Sequence, residues 1–234
     1  MKIVYKILIA SVFVSPLALA TTHDDKIKDI TKILQENPLI IDNLHESLHL
    51  YVNQQKAFEA TIAENYDYMY NNSNHTSFGS SNAKTTIINF TDYSCPWCKK
   101  LDSVLDQLVD KYPNDIKVVN IYVPIKEMSS HSNSASFALN VWENHPEKFA
   151  ETHALLIKKP GIHDHRSIER IAKRLGLENH IKSDALTDEM LAKNYQIFNQ
   201  LGMRGTPGML LNGQIIPGYV PLDKLEALVK DSAE

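Results

Sequence analysis

The chain has 234 residues, 43% of them hydrophobic, and a formal net charge of −4. That length suits one domain with an appendage, or two small ones, with a core that needs no staples. So mild a negative charge argues against a general binder of nucleic acid or of anionic membranes, since either needs a concentrated basic surface.

Residues 1–20 read as a secretory signal. Lys2 and Lys6 form a charged start, Ile7 to Val14 a short apolar run, Pro16 a break, and Ala18-Leu19-Ala20 an A-x-A cleavage pattern. The run is short for a bilayer, which takes about 20 apolar residues, so cleavage after Ala20 is expected. The style of the signal is bacterial and points to the periplasm.

Residues 21–70 read as a helical arm. Ile27, Ile30 and Leu34 recur at helical spacing. Pro38 disfavours helix in Asn37 and should divide the arm into a short helix and a long one. From Ile41 the spacing fits a heptad seam, with Ile41, Leu48, Gln55, Ile62 and Met69 at a-type positions. Leu44, Tyr51, Phe58 and Asn65 take the d-type positions. Such a stripe must be buried, either by folding back onto its own domain or against a second copy. A seam of about four heptads that then meets a linker favours self-association. Residues 71–83, rich in Asn and Ser, read as that linker, a mobile connection.

The texture changes from residue 84. Thr85 to Phe90 reads as a buried strand, and Ile116 to Ile125 as a second. Between them a helix opens at Pro96 and runs to Tyr112-Pro113; Pro is favoured at a first helical position. Strand, helix, strand implies a parallel pair with a crossover. Residues from about 130 to 201 read as a mostly helical insertion. Asn212-Gly213 then marks a hairpin, and Pro221 to Lys230 a closing helix.

Cys95-Pro96-Trp97-Cys98 holds both cysteines of the chain. A bridge around so short a loop contributes only about 2 kcal/mol of stability, against roughly 4 or more for a long loop. The pair therefore reads as chemistry. Export sharpens that reading, because thiols outside the cytosol tend to be oxidised. Cys95 should sit at a helix N-cap, where unpaired N–H groups and the helix dipole favour thiolate. Lys99 and Lys100 add positive charge. Cys98, one turn on, should be more buried and keep its proton. Cys95 is then the sulfur that attacks or is attacked, and Cys98 the one that resolves the mixed disulfide.

The segment from Phe90 through Cys95-Pro96-Trp97-Cys98 to Lys100 resembles the active site of DsbA-type thiol–disulfide oxidoreductases. Gly205-Thr206-Pro207-Gly208 and Ile216-Pro217-Gly218 downstream carry the same resemblance. It covers residues 84 to 234. It implies an α/β thioredoxin-like fold with an inserted helical domain, and no cofactor. It also implies a cis bond before Pro207 that faces the cysteine pair, and so makes Thr206, Pro207, Pro96 and Trp97 substrate-side residues. The arm, around Ile33-Leu34 and Asn37-Pro38, is similar to the N-terminal segment of ScsC-type proteins, some of which oligomerise and isomerise disulfides. Thr206 is the residue typical of isomerase members.

Two positions depart from the family pattern. Asn89 stands six residues before Cys95, where a buried acid often moves the proton of the second thiol; Asp92 or water would have to substitute. Trp97 stands where strongly oxidising members carry His, so an intermediate redox poise is expected. The expected partners are unfolded or misoxidised exported proteins, a membrane redox partner that resets the pair, and further copies of the chain. No nucleic acid is expected. Two rival readings remain at this stage. One is a metal module in which Cys95 and Cys98 take copper or zinc with histidines such as those of His163-Asp164-His165. The other is a holdase chaperone. The direction of electron flow is not readable from the residues.

Overall fold

A computed structural model describes residues 22–127 and 132–231. The expected export signal lies outside them. The described residues divide into two compact units, one up to residue 52 and one from residue 53 onward.

In the first unit, α1 (His23–Glu36) starts at a Thr22 capping box, in which Thr22 and Asp25 satisfy each other's end of the first turn. It stops at Asn37, and Pro38–Ile40 forms one 3-10 turn. The expected division at Asn37-Pro38 is therefore present. Helix α2 (Ile41–Glu64) begins here and runs into the second unit. No residue of 22–52 is buried; Leu39, Leu48 and Tyr51 are 94%, 58% and 66% exposed.

The second unit is built on a five-stranded mixed sheet, in the order β1 (Thr76–Gly79), β3 (Ile116–Tyr122), β2 (Thr85–Thr91), β4 (Gly208–Leu211), β5 (Gln214–Pro217). Strand β2 (Thr85–Thr91) pairs in parallel with β3 (Ile116–Tyr122), and α4 (Pro96–Lys111) makes the crossover. Strands β4 (Gly208–Leu211) and β5 (Gln214–Pro217) form the hairpin expected around Asn212-Gly213, with β4 antiparallel to β2. Neighbouring strand residues face opposite ways, as the two-residue period demands. Ile87, Val118 and Leu211 pack with Leu101 and Leu105 of α4 and Leu225 of α9 (Leu222–Asp231). Ile88, Val119 and Leu210 pack on the other face with Met69, Ile197 and Phe198. The insertion contributes α5 (Ser134–Asn144), α6 (Pro146–Lys158), α7 (His165–Leu175) and α8 (Ala185–Gln200). Phe137, Val141, Leu156 and Ile168 form its core, which reaches Tyr93 and Tyr122 of the sheet unit.

Two expectations change. The stretch 71–83 contains strand β1 (Thr76–Gly79), antiparallel to β3, so it is not simply a mobile connection. His75 and Thr76 are buried, and the Thr76 hydroxyl bonds the Tyr122 hydroxyl at 2.8 Å. Gly79 ends the strand at φ 92, where a Cβ would collide with the Ile116 carbonyl. The heptad seam is not continuous either. Helix α2 ends at Glu64, and Asn65 separates it from α3 (Tyr66–Tyr70). Phe58, Ile62 and Met69 pack into the sheet core of their own chain. The stripe left unpartnered is the first two heptads, Ile41 to Tyr51.

Candidate active site at the start of helix α4

Strand β2 delivers the chain to the site, and a tight turn aims it. The Asp92 carboxylate accepts the Ser94 N–H at 2.7 Å and the Lys126 N–H at 3.1 Å. The Asp92 carbonyl accepts the Cys95 N–H at 3.0 Å. Cys95 is the N-cap of α4, with extended backbone, and Pro96 takes the first helical position. Its side chain therefore lies at the end of the helix where N–H groups have no intrahelical partner.

The two sulfurs stand in unlike surroundings. Cys95 is lowered to about 5, chiefly by its hydrogen bond with Cys98. The N–H groups of Cys98 and Trp97 and the Thr206 side chain add to this, against a cost of burial. The Cys95 thiol also lies 3.2 Å from the Thr206 carbonyl, a contact only its protonated form can donate. Cys98 is 2% exposed, and burial pushes its thiol far up, with the negative charge of Cys95 acting the same way. One sulfur is thus a thiolate at neutral pH and the other a thiol. The lysines matter less than the sequence suggested. The Lys99 ammonium is held by the carbonyls of Leu156, Lys159 and Gly161, and so ties the helix start to the insertion. Lys100 lies over the Trp97 ring, 4.4 Å from its centroid.

The Thr206–Pro207 peptide bond is cis, and its carbonyl faces Cys95. Gly218 donates its N–H to the Pro207 carbonyl at 2.9 Å, so β5 holds this loop in place. Tyr219 follows, 37% exposed, with its ring 5.7 Å from that of Trp97, which is 54% exposed. The structure therefore brings Cys95, Cys98, Pro96, Trp97, Thr206 and Pro207 to one place.

Glu127 and Ser134 escaped the sequence reading. Glu127 is buried and accepts hydrogen bonds from the Ser94 hydroxyl at 2.6 Å and from the N–H and hydroxyl of Ser134 at 2.8 and 2.5 Å. Ser94 also accepts the His163 N–H at 2.8 Å. Burial leads the effects that raise Asp92 to about 6, with Glu127 and Cys95 adding their negative charge. Asn89 is buried against Asn120, its amide nitrogen 2.8 Å from the Asn120 oxygen. No signal in the local sequence marks Glu127, which is placed by contacts 33 residues from Ser94.

The histidines singled out as metal ligands have other partners. The His163 ring nitrogens meet the Leu156 carbonyl at 3.0 Å and the Ser167 hydroxyl at 3.3 Å. Asp164 caps α7, and His165 pairs with Glu169. Among the described residues no cluster of three or more His, Cys, Asp or Glu has the arrangement of a metal site.

The chain is similar to known proteins. The thioredoxin family model described as "Thioredoxin" matches residues 71–231. The catalytic domain of Proteus mirabilis ScsC is 32% identical, covering 75% of this chain and 98% of its own, with a TM-score of 0.68. A linker-deletion mutant of that protein covers 94% of this chain and 99% of its own at 29% identity and a TM-score of 0.71. A periplasmic thioredoxin-like protein from Salmonella enterica serovar Typhimurium is 35% identical, covering 71% of this chain and 94% of its own, with a TM-score of 0.65. Disulfide bond formation protein D of Bacillus subtilis is 22% identical over 169 residues, which are 65% of this chain and 74% of that protein. With a buried, asymmetric cysteine pair facing a cis-proline loop, the chain belongs to the thioredoxin-like, DsbA-type thiol–disulfide oxidoreductases.

Proposed function

We propose that this protein is a periplasmic disulfide isomerase that works as an oligomer. Cys95 attacks a wrong disulfide in an exported protein and forms a mixed disulfide. The freed substrate thiolate then attacks elsewhere in its own chain, or Cys98 resolves the complex. Thr206 and Pro207 hold the substrate strand beside Cys95, and Pro96 and Trp97 contact its side chains. A membrane redox partner keeps the pair reduced. Export rests on residues 1–20 and on the periplasmic description of the Salmonella relative.

The observation that carries the isomerase reading is the apolar stripe of residues 27–51. Ile27, Ile30, Ile41, Leu44 and Leu48 are all more than 40% exposed, on helices whose polar faces need no cover. Partner copies would bury it and gather several active sites around one substrate. The test is recovery of scrambled ribonuclease activity by the mature chain and by the double variant Leu44→Glu, Leu48→Glu. The reading expects an oligomer that isomerises, and a monomeric variant that exchanges small disulfides but isomerises poorly. A double variant that isomerises as well as the parent would overturn the role of the arm, and a parent that only oxidises reduced ribonuclease would be a simple oxidase.

A further inference from the structure

Helix α7 has two unlike sides. Ile168, Ile171 and Ala172 are buried in the core of the insertion. Three of the chain's four arginines, Arg166, Arg170 and Arg174, stand exposed at four-residue spacing, although the formal net charge of the chain is −4. Between α7 and α6 lies a groove of about 410 Å³. Leu155, Pro160 and Ile171 give it an apolar lining, and Lys158, Lys159, Arg170 and Arg174 give it positive charge. None of the residues described as lining it is acidic. The larger hollow that shares Arg170, about 930 Å³, mixes signs, with Asp164, Glu169 and Glu178 beside Arg166 and Lys173. Selection for an anion therefore falls to the smaller groove.

The carboxylates of the chain do little to satisfy these cations. Arg174 meets Glu151 at 4.0 Å with both side chains more than 60% exposed, a contact of small strength. Asp164 accepts the Ser167 N–H, and Glu169 pairs with His165. The groove also adjoins the active site. Lys159 and Pro160 open the loop 159–163, in which the Lys159 and Gly161 carbonyls hold the Lys99 ammonium and the His163 N–H reaches the Ser94 hydroxyl. One edge of the groove is thus fastened to the turn that carries Cys95.

We propose that this groove docks an acidic, extended segment of the protein whose disulfide Cys95 attacks. Arg170 and Arg174 are one helical turn apart, about 6 Å along the axis. Alternate side chains of an extended chain repeat at about 6.6 Å. A segment that alternates acidic and apolar residues can turn its apolar side chains to Leu155 and Ile171 and its carboxylates to the rim. The planar guanidinium takes a carboxylate through two parallel hydrogen bonds. A flat lipid surface would reach the cations and not Ile171, which is 8% exposed. The inference rests on the family's exchange chemistry with protein substrates and not on the isomerase reading.

The test uses the full mature chain, reduced, and two labelled peptides without cysteine, Glu-Val-Glu-Val-Glu and its Gln-Val-Gln-Val-Gln counterpart. Fluorescence anisotropy at low salt is expected to show roughly 10-fold tighter binding of the acidic peptide, the scale of two or three exposed ion pairs. High salt should erase that preference, and so should the double variant Arg170→Gln, Arg174→Gln. Equal binding of the two peptides by the parent, or a preference that survives in the double variant, overturns the proposal. Capture of the parent by anionic phospholipid vesicles with no preference between peptides marks a membrane-facing patch and overturns it too. The same peptides, extended by a flexible linker and a cysteine blocked as its thionitrobenzoate disulfide, read the consequence for exchange. Cys95 bonds to the peptide sulfur as the thionitrobenzoate leaves with the electron pair. The acidic peptide should react about 10-fold faster than its counterpart with the parent and at an equal rate with the double variant. Tighter binding without faster exchange overturns the assignment of the groove to the substrate. A parent that prefers the acidic peptide yet exchanges no disulfide at all, hydroxyethyl disulfide included, supports the groove and breaks the exchange reading, so the two failures are distinguishable.

Discussion

Residues 41–51 and residues 58–69 carry the same apolar rhythm and use it differently. Phe58, Ile62 and Met69 join Ile88, Val119 and Phe198 in a closed core, whereas Ile41, Leu44, Leu48 and Tyr51 keep 43% or more of their surface exposed. Periodicity says that a face is apolar and does not say what covers it. Helix α2 runs unbroken from the first stretch into the second; what differs is that β2, β3 and α8 give Phe58, Ile62 and Met69 a core to enter. The lesson is that one apolar rhythm can be spent in part on a chain's own core and in part left exposed.

The largest effects should fall on the catalytic unit. Cys95→Ser is expected to abolish exchange with any disulfide, while Cys98→Ser accumulates mixed disulfides, both read by mass spectrometry of trapped adducts. The double glutamate variant of the arm should leave exchange with glutathione intact. A loss of that exchange would mean that the two stretches are not separable in function.

Stability should divide the same way. Met69→Ala opens a cavity in a closed core and is expected to cost about 2–5 kcal/mol. Leu44→Ala, at an exposed position, should change the stability of a monomer by less than about 0.5 kcal/mol. Denaturant unfolding of both, in a background made monomeric by Leu48→Glu, gives the comparison. Similar losses would contradict the division.

Acid should loosen the junction beneath β1. Burial lowers His75 to about 4, with Lys193 adding to it, and neither ring nitrogen has a partner among the described residues. The unfolded chain takes up this proton below about pH 6.5 and the folded chain only below about pH 4, so stability is full above that window and lost as pH falls through it. The loss from this group is about 3 kcal/mol at most. His75→Phe should flatten part of the acid slope in thermal unfolding, and His163, also lowered to about 4 by burial, should supply more of it. The smallest effect belongs to the arm's exposed Lys32–Glu36 pair at 3.9 Å. Lys32→Ala is expected to cost no more than about 0.5 kcal/mol, and a larger loss would mean that the pair is buried between copies.

Much of the site was legible because its parts are local. A cysteine pair at a helix start and Pro96 after it are short motifs whose geometry follows from a few neighbouring residues, whereas the cis bond at Thr206-Pro207, facing Cys95 across 111 residues, was expected from the family resemblance alone. Lys99 and Glu127 were misjudged or missed because their partners lie far along the chain. The Lys99 ammonium looked like a charge near a thiolate and is spent on carbonyls about sixty residues away. Strand β1 was hidden in Asn- and Ser-rich text because a four-residue edge strand needs little apolar character of its own. The heptad pattern was read as one seam because packing into a core and packing against a copy share one period.

The central claim is the asymmetry of the cysteine pair, and thiolate ultraviolet absorbance of the reduced protein against pH tests it most directly. The account predicts one thiolate per chain by neutral pH, rising with a midpoint near 5 and absent in Cys95→Ser, with Cys98 silent to far higher pH. Two thiols titrating together near the ordinary value of about 8.5 would contradict it.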